Sequence, residues 1–62
     1  MINFWHEILI EENKTLGKTF YIGIVRANSD VLMETDGFLS INDAQLACEY
    51  FIRGIKFARE NG

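Results

Sequence analysis

The side chains best suited to covalent or metal chemistry in this 62-residue chain are its single histidine, His6, and its single cysteine, Cys48. A thiolate–imidazole pair needs the two in contact, a third group that orients the imidazole, and a site for an oxyanion. The apolar neighbours of Cys48 instead favour a small buried hydrophobic side chain. His6 with Glu7 or Glu11 supplies too few strong ligands for a closed metal site. We therefore expect no catalytic residue, no metal and no cofactor.

Neighbouring carboxylates suggest a second kind of chemistry. Glu11 with Glu12, and Glu34 with Asp36, have the composition of a glycosidase pair. A chain of this length has little room for a pocket that removes a substrate from water, so turn and surface roles are favoured. The glycines match no phosphate-loop spacing. The protein is therefore predicted not to be an enzyme.

Composition and length limit the kind of protein this is. Hydrophobic residues make up 48% of the chain, and a lone cysteine excludes an internal disulfide. A core of this size is close to the lower limit for independent folding, so apolar surface is either densely packed or reserved for another chain. The N-terminus resembles no signal peptide, and no apolar run reaches a membrane-spanning length. We expect a cytoplasmic protein, in the host cytoplasm if it is phage-encoded.

The net charge of −3 affects the choice of partners. Binding to a nucleic-acid duplex depends on neutralising phosphates with cations, so it is not the first expectation. One alternative remains a sheet surface on which Tyr21, Val25 and Arg26 meet nucleic acid. Another is a small acidic inhibitor, possible for a phage protein, that occupies a basic site on a larger enzyme.

Hydrophobic alternation predicts three strands within a single domain over residues 1–62. The first covers residues 3–11, with its even-numbered side chains facing the core. A polar loop, in which Gly17 can adopt a positive φ, leads to a second strand over 19–27. A turn at residues 28–30 precedes a third strand over 31–35.

The second predicted strand is apolar on both faces. Phe20, Ile22 and Ile24 lie on one face, and Tyr21 and Val25 lie on the other. We expect the first face to meet the helix. Because one helix covers one face, the face of Tyr21 and Val25 is predicted to contact a second copy of the chain.

A long helix is predicted from Ile41 to Glu60 or Asn61, with Ser40 as its N-cap and Asp43 in its first turn. One side of this helix forms an apolar stripe at helical spacing. Its members are Ile41, Ala44, Ala47, Cys48, Phe51, Ile52, Ile55 and Ala58.

A second, shorter apolar stripe lies roughly 140° around the same helix. It comprises Leu46, Tyr50 and Phe57, with Gly54 allowing close approach. A monomer with one sheet has no evident use for it, so we predict that these four residues contact another subunit.

The predicted fold is therefore α+β: a three-stranded antiparallel meander sheet followed by one long C-terminal helix, assembled as a homodimer. The predicted function is a non-catalytic protein-interaction module that associates with itself. The predicted core residues are Phe4, Ile8, Ile22, Ile24, Phe38, Phe51 and Ile55.

The segment "ANSDVLMETDGF" resembles the repeat signature of the YegP-like family, small bacterial and archaeal proteins of uncharacterised function. That signature has an Ala-Asn-Gly turn, an aliphatic strand, and Ser-Glu-Gly-Tyr ahead of a helix. The resemblance extends loosely from about Phe20 to Lys56. The matching positions are Ala27, Asn28, Val31, Leu32, Asp36, Gly37 and Phe38.

This resemblance implies that three strands and a helix form one unit, and that two units assemble around a shared sheet. Ser29 stands where the family has the turn glycine, and the helix is about a turn longer. The chain carries no strand after the helix for exchange between subunits. We therefore expect association through helices or sheet faces.

A second resemblance points to a shared fold without a shared activity. Three strands ending in Gly-Phe before an Ala-rich helix are similar to the sheet-type DNA-binding domains of plant transcription factors and phage integrases. Those domains carry Arg and Lys on the exposed sheet face. Here the corresponding positions are Tyr21, Gly23 and Val25, which lack the cationic groups that contact phosphates.

Overall fold

The computed structural model describes residues 3–61, which form three strands followed by one helix. Strand β1 spans Phe4–Asn13, β2 spans Lys18–Ala27, β3 spans Asp30–Glu34, and helix α1 spans Ile41–Asn61. The strands form one antiparallel sheet in the order β1-β2-β3. The predicted fold class is confirmed, and each strand boundary lies within two residues of its predicted position.

The hairpin between β1 and β2 fixes which side chains share a face. Asn13 pairs with Lys18, which leaves a loop of residues 14–17. The Leu16 N–H donates a hydrogen bond to Asn13 Oδ1 at 2.9 Å, and Gly17 has the predicted positive φ, at 64°. Because the loop has an even number of residues, the even-numbered positions of β1 face the same side as the odd-numbered positions of β2.

The turn into β3 also has the predicted chemistry. Asn28 adopts the left-handed conformation, with φ 58°. Asparagine tolerates this region better than most residues because its short amide bonds the local backbone. The register of β3 shifts between Val25 and Arg26, which marks a β-bulge.

Beyond β3 the chain continues along β2 without regular strand geometry. The Thr35 N–H donates to the Gly23 carbonyl at 2.9 Å, and the Gly23 N–H donates to Thr35 Oγ1 at 2.8 Å. Tyr21 and Phe38 then exchange two backbone bonds of 2.7 and 2.9 Å. These bonds satisfy the open edge of β2 up to the start of the helix.

Helix α1 lies closely against β2 because the facing residues are small. A Cβ atom at Gly23 would overlap the Cys48 sulfur and would lie 3.1 Å from the Ala44 carbonyl oxygen. Ala44 and Cys48 are fully buried. Glycine at position 23 therefore sets the distance between helix and sheet.

The structure reverses the predicted orientation of β2. Val25 is fully buried on the face beneath α1, so it is not available to another chain as predicted. Tyr21 lies on that same face and is half-buried, which also contradicts its placement on an open face. Ile22 and Ile24 point away from the helix, although Ile24 is buried by its neighbours. The four-residue loop is the cause, since it aligns the odd positions of β2 with the inward face of β1.

The rest of the predicted core is present but only half-buried. Phe4 and Ile8 lie on the helix side of β1 as predicted. The other half-buried members of the predicted core are Phe38, Phe51 and Ile55. Full burial is confined to a few small or medium side chains, so a single chain encloses little core.

Helix α1 begins at Ile41 as predicted. The Ser40 carbonyl accepts a 3.3 Å hydrogen bond from the Ala44 N–H. Asp43 lies in the first turn, where its negative charge interacts favourably with the positive end of the helix dipole. Over residues 3–61, no helix combines the length and apolar character needed to cross a bilayer.

Candidate functional site

The face of the sheet that points away from α1 is apolar and open. Leu9 pairs with Ile22, Trp5 with Arg26, and Arg26 with Val31, so all five side chains share this face. Trp5, Leu9 and Val31 are 44%, 47% and 50% exposed. We call this surface the uncovered sheet face. Its central members are Trp5, Glu7, Leu9, Phe20, Ile22, Ile24, Arg26 and Val31, and the same face carries Glu11, Lys18 and Glu34 nearer the strand ends.

The two charges in the middle of the uncovered sheet face neutralise each other. Arg26 Nε lies 2.6 Å from Glu7 Oε1, and the Arg26 guanidinium lies 5.7 Å from the centre of the Trp5 ring. Covering an unpaired charge is costly, whereas a hydrogen-bonded pair tolerates a drier environment. An apolar partner therefore needs to supply no opposite charge at this position.

Sequence reasoning missed Trp5, Leu9 and Val31 as surface candidates and selected Tyr21 and Val25 instead. A signal was present in β1, where Trp5 and Leu9 alternate with glutamates on the odd face. Large apolar side chains on both faces of β1 indicate that neither face is fully exposed to solvent in the functional state.

A second open apolar surface lies on α1. We call Leu46, Tyr50, Gly54 and Phe57 the outer helix stripe. Tyr50 is 62% exposed and Phe57 is 68% exposed, and beyond the adjoining helix backbone no atom lies within 4 Å of the position a Cβ would take at Gly54. The predicted contact of the stripe with a second chain stays a prediction.

The chain is elongated, with principal extents of 45, 20 and 13 Å. Its radius of gyration is 13.3 Å, whereas a compact domain of this length has about 10.5 Å, and 13.3 Å suits about 115 residues. Its accessible surface is 4709 Å², about 600 Å² more than a compact monomer of 7.2 kDa exposes.

The residues singled out for covalent or metal chemistry form no reactive arrangement within residues 3–61. Cys48 is fully buried against Gly23, and no hydrogen bond joins it to His6. No group of three or more metal-ligating side chains occurs in the described part of the chain.

The buried thiol of Cys48 predicts a specific loss of stability in alkali. Burial raises its pKa above the ordinary value of 9.0, and the nearby Glu49 carboxylate raises it further. The unfolded thiol ionises first, so the unfolded state binds fewer protons as the pH passes 9.0. The free energy of unfolding should then fall between that pH and the higher pKa of the folded thiol.

This fall is measured by urea unfolding at a series of pH values for the wild type and for Cys48→Ala. All other ionisable groups are common to the two proteins, so the difference between the two curves isolates the thiol. The difference should be constant below about pH 8 and should shrink above pH 9. Parallel curves over the whole range would contradict a raised thiol pKa.

Comparison with protein-family models, with curated proteins and with solved structures finds no match to this chain.

Proposed function

We propose that this chain is a small non-catalytic interaction module that associates with a second copy of itself through the uncovered sheet face. One observation supports this most directly: the sheet is apolar on both faces, and α1 covers one of them. Trp5, Leu9 and Val31 remain about half exposed on the other. Removing such surface from water is the main favourable contribution to association.

The size of the exposed surface suits a protein partner. A specific interface buries about 800 Å² on each side, and the chain exposes about 600 Å² more than a compact monomer of its mass. Sheets stack face to face at about 10 Å. A second sheet at that distance would complete a two-layer core between two copies.

The chemistry of the face favours an identical partner. A two-fold contact places the same patch on both sides, so each side must be acceptable to itself. The centre of the uncovered sheet face satisfies this condition because Glu7 and Arg26 are paired internally, while Glu11, Lys18 and Glu34 lie nearer the ends of their strands. Apolar side chains such as Leu9 and Ile22 can then meet their counterparts at the centre of the contact.

The test uses the single tryptophan, Trp5, which lies on the proposed interface. In the wild type, Trp5 emission should shift to the blue and acrylamide quenching should weaken as concentration rises. The variant Leu9→Lys with Val31→Lys should lose this dependence and have a lower mass by light scattering, because two cations now lie on the apolar face. Both proteins should keep the same circular dichroism.

A matched control adds the same charge elsewhere. Leu16→Lys with Leu39→Lys replaces two exposed leucines off the sheet, one in the hairpin loop and one before α1. This control should retain the wild-type mass and the concentration-dependent emission of Trp5. Emission that is independent of concentration in the wild type, or equal behaviour of the two lysine variants, would overturn the proposal.

A further inference from the structure

We infer that the outer helix stripe pairs with α1 of another copy in antiparallel orientation, about a two-fold axis that crosses the helix between Ile52 and Arg53. This second self-contact is independent of the one through the uncovered sheet face. Assemblies larger than a dimer require both contacts, so that part of the inference rests on the proposed function. The helix contact by itself does not depend on the proposed function.

The two surfaces lie on opposite sides of a thin molecule. Ala44 and Cys48 place one side of α1 against the sheet. At about 100° per residue, Leu46 and Phe57 project from the opposite side of the helix. The shortest extent of the molecule is 13 Å, so one copy can be covered on each side at once.

Charges beside the stripe select the orientation of the partner helix. Glu49 and Lys56 are exposed and lie seven residues apart, so they occupy the same flank of α1 two turns from each other. In an antiparallel two-fold pair, the same flanks of the two helices meet, and Glu49 of each copy lies beside Lys56 of the other. A parallel two-fold pair would instead bring opposite flanks together, so Glu49 and Lys56 of one copy would not meet Lys56 and Glu49 of the other.

The middle of the stripe has room for the contact. The proposed axis brings the Tyr50 ring of each copy over Gly54 of the other, where the missing side chain leaves open space. The Arg53 guanidinium lies 5.7 Å from the centre of the Tyr50 ring within one chain. A cation on the ring limits its motion, which lowers the entropy lost when the ring is covered.

Two different two-fold contacts on opposite sides of one chain give more than a dimer. Each dimer formed through the uncovered sheet face presents two outer helix stripes, one at each outer surface. Such dimers join through the stripes into a closed tetramer or into longer even-numbered assemblies, depending on the angle between the two axes.

A charge exchange tests the helix contact. Lys56→Glu should weaken the stripe-mediated association by about tenfold, since two attractive pairs become repulsive. Glu49→Lys combined with Lys56→Glu restores opposite charges across the contact and should return association to near the wild-type level. Lys14→Glu makes the same change in net charge on the exposed hairpin loop and should leave association unchanged.

These measurements use light scattering and sedimentation at low ionic strength, because salt screens exposed charges. Recovery in the exchanged double variant is the result expected. If the double variant stays as weak as Lys56→Glu, or if Lys14→Glu weakens association equally, the antiparallel pairing is wrong.

A second pair of variants separates this inference from the proposed function. Tyr50→Glu with Phe57→Glu removes the outer helix stripe and should leave dimers whose Trp5 emission still depends on concentration. Leu9→Lys with Val31→Lys should leave helix-paired dimers whose Trp5 emission does not. A stripe variant with unchanged mass would overturn the helix contact alone, and a monomeric sheet-face variant would also count against it. Constant Trp5 emission in the stripe variant would overturn the sheet contact alone.

Discussion

Gly23→Val is expected to abolish the fold, and Gly23→Ala to lower the free energy of unfolding by about 3 kcal/mol. A single added Cβ overlaps the Cys48 sulfur and lies 3.1 Å from the Ala44 carbonyl oxygen. Backbone cannot yield as a flexible side chain does, so α1 must move away from the sheet. A chain of this length has about 3–9 kcal/mol of total stability, which leaves little reserve. Urea unfolding followed by circular dichroism measures the loss.

Two controls give this prediction its specificity. Gly54→Ala adds the same methyl group to α1 where the single chain has open space, and at concentrations too low for association it should stabilise the chain by up to about 1 kcal/mol. Gly23→Ala combined with Cys48→Ala removes the sulfur that the new Cβ meets. The double variant should lose at least about 1 kcal/mol less than the sum of the two single losses. If the losses of the two single variants simply add in the double variant, the Cys48 side chain of α1 does not pack against Gly23.

Val25→Asp is expected to unfold the chain at neutral pH. Val25 is fully buried between sheet and helix, so an aspartate there has no water to solvate its carboxylate. An unpaired buried charge costs several kcal/mol, comparable with the whole stability of the domain. Circular dichroism recorded during heating measures this: both the folded-state signal and the cooperative melt should be lost.

Leu9→Asp is the matched control for Val25→Asp. Leu9 lies on the opposite face of the sheet and is about half exposed. Its aspartate variant should remain folded and should lose association through the uncovered sheet face. If Val25→Asp folds while Leu9→Asp does not, α1 covers the other face of the sheet.

The element order was predictable from sequence because each signal is local. Alternating apolar residues, the left-handed turn at Asn28 and the cap at Ser40 each act within a few residues. The inward face of β2 was not predicted correctly, although the hairpin loop contained the answer. A loop of residues 14–17 makes even positions of β1 share a face with odd positions of β2. The prediction that even-numbered side chains of both strands face the core is therefore right for β1 and wrong for β2.

The candidate site was only partly predictable, for a different reason. Exposure of Tyr50 and Phe57 follows from helical periodicity, which one element determines alone. The placement of Trp5 and Leu9 away from the helix follows from the predicted inward even face of β1, but the fit of α1 against the sheet depends on close approach at Gly23. Such an approach is a tertiary property, which strand alternation does not encode.

The long free edge of β1 bears on how copies of this chain avoid fibril formation. β1 is an outer strand over Phe4–Asn13, and an unpaired edge of that length is a template for strand addition between molecules. Glu11 and Glu12 place two adjacent carboxylates along it, while the Glu7 carboxylate is paired with Arg26. Bringing two such edges together concentrates like charge, which opposes cross-β growth at neutral pH. The proposed contacts through the two faces of the molecule leave this charged edge exposed to water.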